Sequence, residues 1–266
     1  MTIAIIGCGW FGTPLAERFV GGGHTVFGTT TRQGKLPDLA ARGIRPSVLD
    51  LNLDVNSGTL NVPPADTYVV NIPPSGVDRY GEQIRRLADA IPASARQVVF
   101  CSTTSVYPDE DRTMTEADVQ PGQVLRAGDV DDAPHGTRRD DLLAAEGAFA
   151  SRDRNLILRL AGLYGDDRHP VAYLAGRTGV PKPLAPVNMI HLHDLVAVVH
   201  QLVDLGITGE VFNVCSDRHP TRHQFYTAEA RARGLPPPIF DERDTRGGKL
   251  VESEKLIRRV GYAFEH

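Results

Sequence analysis

The sequence has no lysine- or arginine-rich run, only three cysteines, and no apolar stretch near the roughly 20 residues that cross a bilayer. Each absence excludes something. With 29 Lys+Arg against 33 Asp+Glu, a formal charge of −4 and a pI near 6.1, no electrostatic support exists for a nucleic-acid or membrane-surface role. An anionic ligand must find its positive charge in a few local side chains. Cys8, Cys101 and Cys215 each follow or end an apolar run, where a small buried thiol fits. An odd count without a Cys-x-x-Cys pair argues against a disulfide framework or a zinc site, and for a reducing, cytoplasmic setting. The first residues, Met1-Thr2-Ile3-Ala4-Ile5-Ile6, lack a basic segment and run into a glycine-rich turn. They read as a strand rather than a signal peptide. There is no internal repeat and no low-complexity tract.

What is present is an ordinary globular composition: 266 residues, 41% hydrophobic and 23% charged, enough for a nucleotide-binding domain and a small lobe. Periodicity predicts strands at Ile3–Ile6, His24–Gly28, Arg45–Leu49, Asp66–Asn71, Gln97–Cys101 and Asn155–Leu160. It predicts helices at Thr13–Val20, Gly34–Arg42, Asp78–Ala90 and Asp141–Ala150. Strand and helix in alternation mean βαβ crossovers and a parallel sheet, so the fold class is α/β, a doubly wound Rossmann-type sheet. The polar stretch from Asp109 to Pro134 reads as a long functional flap. The expected division is a Rossmann domain over 1–165, rejoined by 188–214 with strands near Met189–Leu192 and Val211–Val214. A small substrate lobe would comprise 166–187 and 215–266.

Gly7-Cys8-Gly9-Trp10-Phe11-Gly12 is a Gly-x-Gly-x-x-Gly that follows a strand and opens a helix. In that context it reads as a dinucleotide site. The first glycine allows the turn, the second admits the pyrophosphate, the third lets helix and strand close up, and the helix N-terminus faces the phosphates. An acid usually stands about 20 residues on to hold the ribose 2′-hydroxyl. Here Thr29-Thr30-Thr31-Arg32 stands in its place. Arg32 either pairs with a 2′-phosphate, helped by Thr30 and Lys35, or is a solvated surface charge. The first reading makes NADP(H) the expected cofactor ahead of NAD(H). Asp50 is expected at the adenine pocket, with Asn71 and Pro73 along the cofactor's path.

Ser102-Thr103-Thr104-Ser105-Val106-Tyr107 resembles the Ser-Ser/Thr-x-x-Val-Tyr segment of extended short-chain dehydrogenases/reductases, the NAD-dependent epimerase/dehydratase family. Leu158 to Gly165, Asn188 to Leu195, Gly209 to Val214, Gly248-Lys249 and Leu256 to Tyr262 resemble further segments of that family in order. The likeness spans nearly the whole chain and is closest to an atypical, nucleoside-diphosphate-sugar epimerase-like branch. It implies a substrate-polarising hydroxyl at Thr103, with Ser102 in reserve. Tyr107 is a candidate site aromatic or a core residue.

The family's acid/base is a Tyr-x-x-x-Lys pair on the helix after the flap. Here that region runs Gly136-Thr137-Arg138-Arg139-Asp140-Asp141-Leu142-Leu143-Ala144-Ala145-Glu146, with no tyrosine and no lysine. Arginine stays protonated and cannot replace the base. Arg138 and Arg139 are candidate anion clamps for the substrate, or helix-entry charges paired with Asp140 and Asp141. His169 is the first candidate substitute proton carrier and Tyr107 the second, set against a structural role for each. No metal site is expected: His191-x-His193 is explained as a strand end leading to a helix N-cap at Asp194. The expectation is an NAD(P)-dependent oxidoreductase- or epimerase-like enzyme for a small hydroxylated or carbonyl substrate. The alternative is a non-catalytic NADP(H)-binding sensor or scaffold. The family resemblance implies a homodimer.

Overall fold

The computed structural model describes residues 1–53, 60–124 and 139–266. In chain order the elements are β1 (Thr2–Ile6), α1 (Gly12–Gly21), β2 (Thr25–Thr30), α2 (Leu36–Ala41), β3 (Arg45–Val48), β4 (Thr67–Val70), α3 (Tyr80–Ala90), β5 (Gln97–Thr103), β6 (Thr113–Met114) and α4 (Arg139–Ala150). There follow β7 (Asn155–Leu160), β8 (Gly162–Tyr164), β9 (Thr178–Val180), β10 (Met189–His191), α5 (Leu192–Asp204), β11 (Glu210–Val214), α6 (Arg222–Ala232), β12 (Ile239–Phe240), β13 (Leu250–Val251) and α7 (Glu254–Val260).

Seven strands form one sheet in the order β11-β7-β5-β4-β1-β2-β3, and the pairs from β5 through β3 are parallel. The chain winds outward from β1 to β3 and then returns to lay β4 on the other side of β1. That reversal creates the crevice in which open α/β sheets bind ligands, at the carboxyl ends of the strands. The central strands are apolar along their length because both faces are covered: Ile3, Ile5, Val69, Val99 and Leu158 have no exposed surface. Phe100 of β5 stacks on Phe149 of α4 with ring centroids 4.5 Å apart. Buried Gln97 satisfies its amide by donating to the carbonyls of Leu202 and Ile207.

Backbone contacts divide the chain into two compact units. One comprises Met1–Val106, Val119–Arg159 and Val196–Phe212, and the other Tyr107–Asp118, Leu160–Leu195 and Asn213–His266. This differs from the division expected from sequence. The start of the flap and residues 160–165 fall in the second unit, and so do residues 188–195. β10 pairs with β8 in a separate two-stranded sheet, so only β11 of the two anticipated returning strands joins the large one. The second unit also contains the parallel pairs β12–β9 and β13–β6.

Local boundaries shift for identifiable reasons. β2 runs past Gly28 to Thr30 because β3 continues to pair with it there. The helix expected over Gly34–Arg42 divides into a 3-10 turn at Gln33–Lys35 and α2, with Pro37 in the first turn of α2. Arg79 sits in the left-handed region at φ 49°, so α3 starts at Tyr80 rather than Asp78. The expected flap is partly built: Met114 pairs with Val251 and is fully buried, and Val119 is buried too. The rest of it, from residue 125, lies outside the described residues. No helix among the described residues is long and apolar enough to cross a membrane.

Candidate functional site

The glycine loop after β1 shows three different reasons for its three glycines. Gly7 has φ +106°, and a Cβ there would run into the carbonyl oxygen of Asn71. A Cβ on Gly12 would meet the Gly7 carbonyl. Those two are required by the fold itself. A Cβ on Gly9 would meet nothing within 4 Å, so that glycine leaves open space. The loop is held from β2 and β4. The Gly7 amide donates to Thr29 Oγ1 at 3.0 Å, the Cys8 amide to the Thr29 carbonyl at 2.7 Å, and Asn71 Nδ2 to the Gly7 carbonyl at 3.4 Å. α1 opens with no side-chain cap and no acid in its first turn, which leaves its positive dipole end for an anion.

A cavity of about 340 Å³ opens over this loop at the carboxyl ends of β1 to β4. Of the residues expected at the cofactor, Gly7, Gly9, Thr30, Arg32, Asp50, Asn71 and Pro73 line it. Trp10, Phe11 and Gly12 do not. Phe11 is buried, Trp10 is half-buried, and Gly12 packs against the loop itself. Lys35 joins Arg32 on the lining. Arg32 is exposed and has no acidic partner among the described residues. Asp50 Oδ1 accepts the Asn52 amide at 3.0 Å, and Thr30 Oγ1 accepts the Arg32 amide at 3.3 Å. Sequence reasoning missed the structural part played by Thr29, because the strand was expected to end at Gly28. It also missed the wall formed by Ser75, Gly76 and Val77, for which no motif gives a signal. Cys8 lines the cavity too, but burial pushes its thiol up to about 12 and keeps it protonated and unreactive.

At the end of β5 the two candidate hydroxyls part company. Ser102 donates to Glu146 Oε1 at 2.7 Å, inside a fully buried cluster. Arg159 of β7 grips Glu146 of α4 with two contacts, at 3.1 Å and 2.8 Å, and donates to the Val119 carbonyl at 2.9 Å. Ser102 is therefore a packing residue, not a reserve catalyst. Thr103 is half-buried, and among the described residues its Oγ1 meets only its own turn, accepting the Ser105 amide and reaching the Ser105 hydroxyl at 3.2 Å each. It retains an accessible hydroxyl. On α4, Leu142 is buried at the position where the resemblance implies a lysine. Arg139 donates Nε to the Val106 carbonyl at 3.0 Å, which ties the candidate clamp to the chain. Arg138 lies outside the described residues.

In the second unit the remaining candidates take structural roles. Tyr107 is 1% exposed and donates its hydroxyl to Asn213 Oδ1 at 2.7 Å. It belongs to the core, and a satisfied buried phenol has no route to a substrate. His169 accepts the Val171 amide on Nδ1, stacks on Phe225 and meets Tyr164 edge-on. Its Nε2 lies 3.4 Å from Glu229, and burial lowers its pKa below the usual value. The ring caps a short 3-10 turn, a structural role. Asp194 lies within the first turn of α5 instead of preceding it. Its carboxylate accepts the Tyr262 hydroxyl at 2.8 Å and the amides of Glu265 and His266, so it holds the C-terminal tail rather than capping the helix.

A seven-stranded sheet with a glycine loop at its reversal point defines a Rossmann-type α/β fold, the fold that solved epimerases, dehydratases and reductases share with this chain. Solved structures of that fold superimpose on essentially the entire chain. A functionally unknown conserved protein from Silicibacter pomeroyi DSS has a TM-score of 0.72 at 23% identity, covering 100% of this chain and 94% of that one. A UDP-glucuronic acid 4-epimerase from Bacillus cereus, in complex with NAD, has a TM-score of 0.71 at 15% identity over 100% and 94%. A human epimerase family protein with NADPH has 0.69 at 16% over 100% and 95%. No protein-family model matches the chain. Protein YeeZ of Escherichia coli (strain K12) is 30% identical over 281 aligned residues, covering 99% of this chain and 96% of YeeZ. The chain belongs to the YeeZ family.

Proposed function

We propose that this protein binds a nicotinamide dinucleotide, NADP(H) in preference to NAD(H), and uses it on a small hydroxylated or carbonyl substrate. The observation that carries the reading is the cavity over the glycine loop. Open space lies above Gly9, the helix end is uncapped, and Arg32 and Lys35 stand on the lining without an acid at the end of β2. The pyrophosphate would lie over Gly9 and the α1 N-terminus. Arg32 and Lys35 would take the 2′-phosphate, and Asn71 and Pro73 would border the path toward the nicotinamide. The bound cofactor supplies or accepts hydride. Thr103, at the carboxyl end of β5, would hydrogen-bond the substrate oxygen.

No residue of the usual acid/base pair is present, and an unassisted threonine hydroxyl is too weak to replace it near neutral pH. The chemistry this site can support is hydride exchange with the proton taken from or returned to water. We expect little turnover of simple nucleotide-sugars. Incubating the protein with NADPH deuterated at the transferable position and a metabolite extract tests the reading. Label should appear in a product and be lost in Thr103→Ala. A second reading, a dinucleotide-binding sensor or scaffold, is favoured by the commitment of Ser102, Tyr107 and His169 to internal contacts. Tight NADPH binding with no label transfer to any metabolite would select it.

A further inference from the structure

The nucleotide site leaves unused a cluster that the fold assembles in the second unit. His191 ends β10, His193 lies in the first turn of α5, and His266 arrives from the C-terminal tail. One ring nitrogen from each lies within 4.8 Å of the others. We propose that these three imidazoles form a binding site for a divalent transition-metal ion of the Zn(II) kind.

Three features support it. First, the donor set is right: imidazole suits zinc and its neighbours, and three histidines plus water is a recognised open coordination shell. Second, His266 is already oriented as a ligand. Its Nδ1 lies 3.2 Å from Asp194 Oδ2, and that carboxylate is 1% exposed. The contact fixes the proton on Nδ1 and leaves the Nε2 lone pair free, which is the carboxylate–histidine arrangement that stands behind metal-bound imidazoles. The same carboxylate holds the His266 amide at 3.1 Å, and Ser216 donates to the His266 carbonyl at 3.0 Å, so the residue is anchored by backbone as well as side chain. Third, the movement required is small. Tetrahedral zinc holds its nitrogens about 3.3 Å apart, and His193 and His266 are exposed enough to turn.

Two adjustments accompany binding. The His191 and His266 rings stack at 4.1 Å, and they open so that each presents an edge to the ion. His191 Nδ1 accepts the His193 amide at 3.3 Å. Coordination through Nε2 shifts the ring proton to Nδ1 and releases that long contact. Asp166, 92% exposed with Oδ1 4.0 Å from His191 Nε2, stands at the rim and can supply a fourth ligand in place of water. The ion would pin the C-terminal tail to the start of α5. Sequence spacing hides the site because its third ligand comes from the far end of the chain.

The test uses the full chain, stripped of metal by a chelator and titrated with Zn(II) against a chromophoric competitor. One equivalent should bind. His193→Ala and His266→Ala should each weaken binding at least tenfold, while His223→Ala, an exposed histidine on α6, should leave it unchanged. Co(II) in place of zinc should give the intense visible bands of a tetrahedral site in the wild type and lose them in both variants. Circular dichroism of the metal-free variants should match wild type, since both side chains are at the surface. Absence of stoichiometric binding would overturn the proposal. So would equal affinity in His193→Ala and His266→Ala, or an equal loss in His223→Ala, which would mean scattered surface coordination.

Discussion

Gly9 and Gly12 sit one helical turn apart and answer to different demands. Gly12 is required by contact with the Gly7 carbonyl, whereas Gly9 borders open space. Gly9→Val should therefore fold with near-normal stability and lose NADPH binding, checked by thermal melting beside calorimetry. Gly12→Val should lose stability as well. Normal NADPH affinity in Gly9→Val would refute the site. The same scale decides the cofactor. Arg32 and Lys35 offer charge-assisted contacts to a 2′-phosphate. Such a contact contributes about 1.5–3 kcal/mol, roughly ten- to 150-fold in affinity. Because Arg32 is exposed, screening puts the effect toward the lower end. Arg32→Ala should weaken NADPH and leave NADH alone. Equal affinities for the two cofactors, unchanged in the variant, would defeat the assignment. These residues were legible in the sequence because glycine spacing and the missing acid are local facts. Thr29 was not, since its role depends on how far β2 pairs with β3.

Among the elements, α4 departs from the pattern that the resemblance implies. Its inner face carries buried Leu142 where that pattern has a lysine, and Glu146 is bound to Arg159 and Ser102. Arg159 and Glu146 are both 0% exposed, and the guanidinium also ties Val119 to β7. Breaking such a pair leaves an uncompensated charge in a low-dielectric interior, which costs about 3–5 kcal/mol. Arg159→Ala should lower the urea-unfolding free energy by that order. The double variant Arg159→Met, Glu146→Leu should lose far less, because neither charge is then stranded. Equal losses in both would mean that packing volume, not charge, sets the effect. Periodicity identified α4 and β7 correctly as elements. It could not identify the ion pair, because Arg159 lies in a run that reads as an apolar strand and Glu146 in a run that reads as an ordinary helix.

Over the whole molecule, several histidines are held neutral by burial. His169, His200 and His219 all have pKa values lowered from the ordinary 6.5, with desolvation the leading cause. When folded they bind fewer protons than when unfolded, so stability falls as pH drops through and below the ordinary histidine value. The urea midpoint should decrease between pH ~7.5 and ~5.5, and His219→Gln should reduce the decrease. A midpoint unchanged across that range would contradict the burial of these rings. NADPH at a hundredfold excess over its dissociation constant should raise stability by about 2.7 kcal/mol. That gain should vanish in Gly9→Val. The sequence alone determined the α/β class, the order of strands and helices in the first half, the glycine loop and the loss of Tyr-x-x-x-Lys, because each is written in short-range pattern or residue identity. Only the tertiary structure decided that Ser102, Tyr107 and His169 face inward, that β10 leaves the large sheet, and that Asp194 and three histidines meet at the C-terminal tail. Those outcomes depend on which partner a polar side chain finds across the fold, and sequence separation carries no information about that.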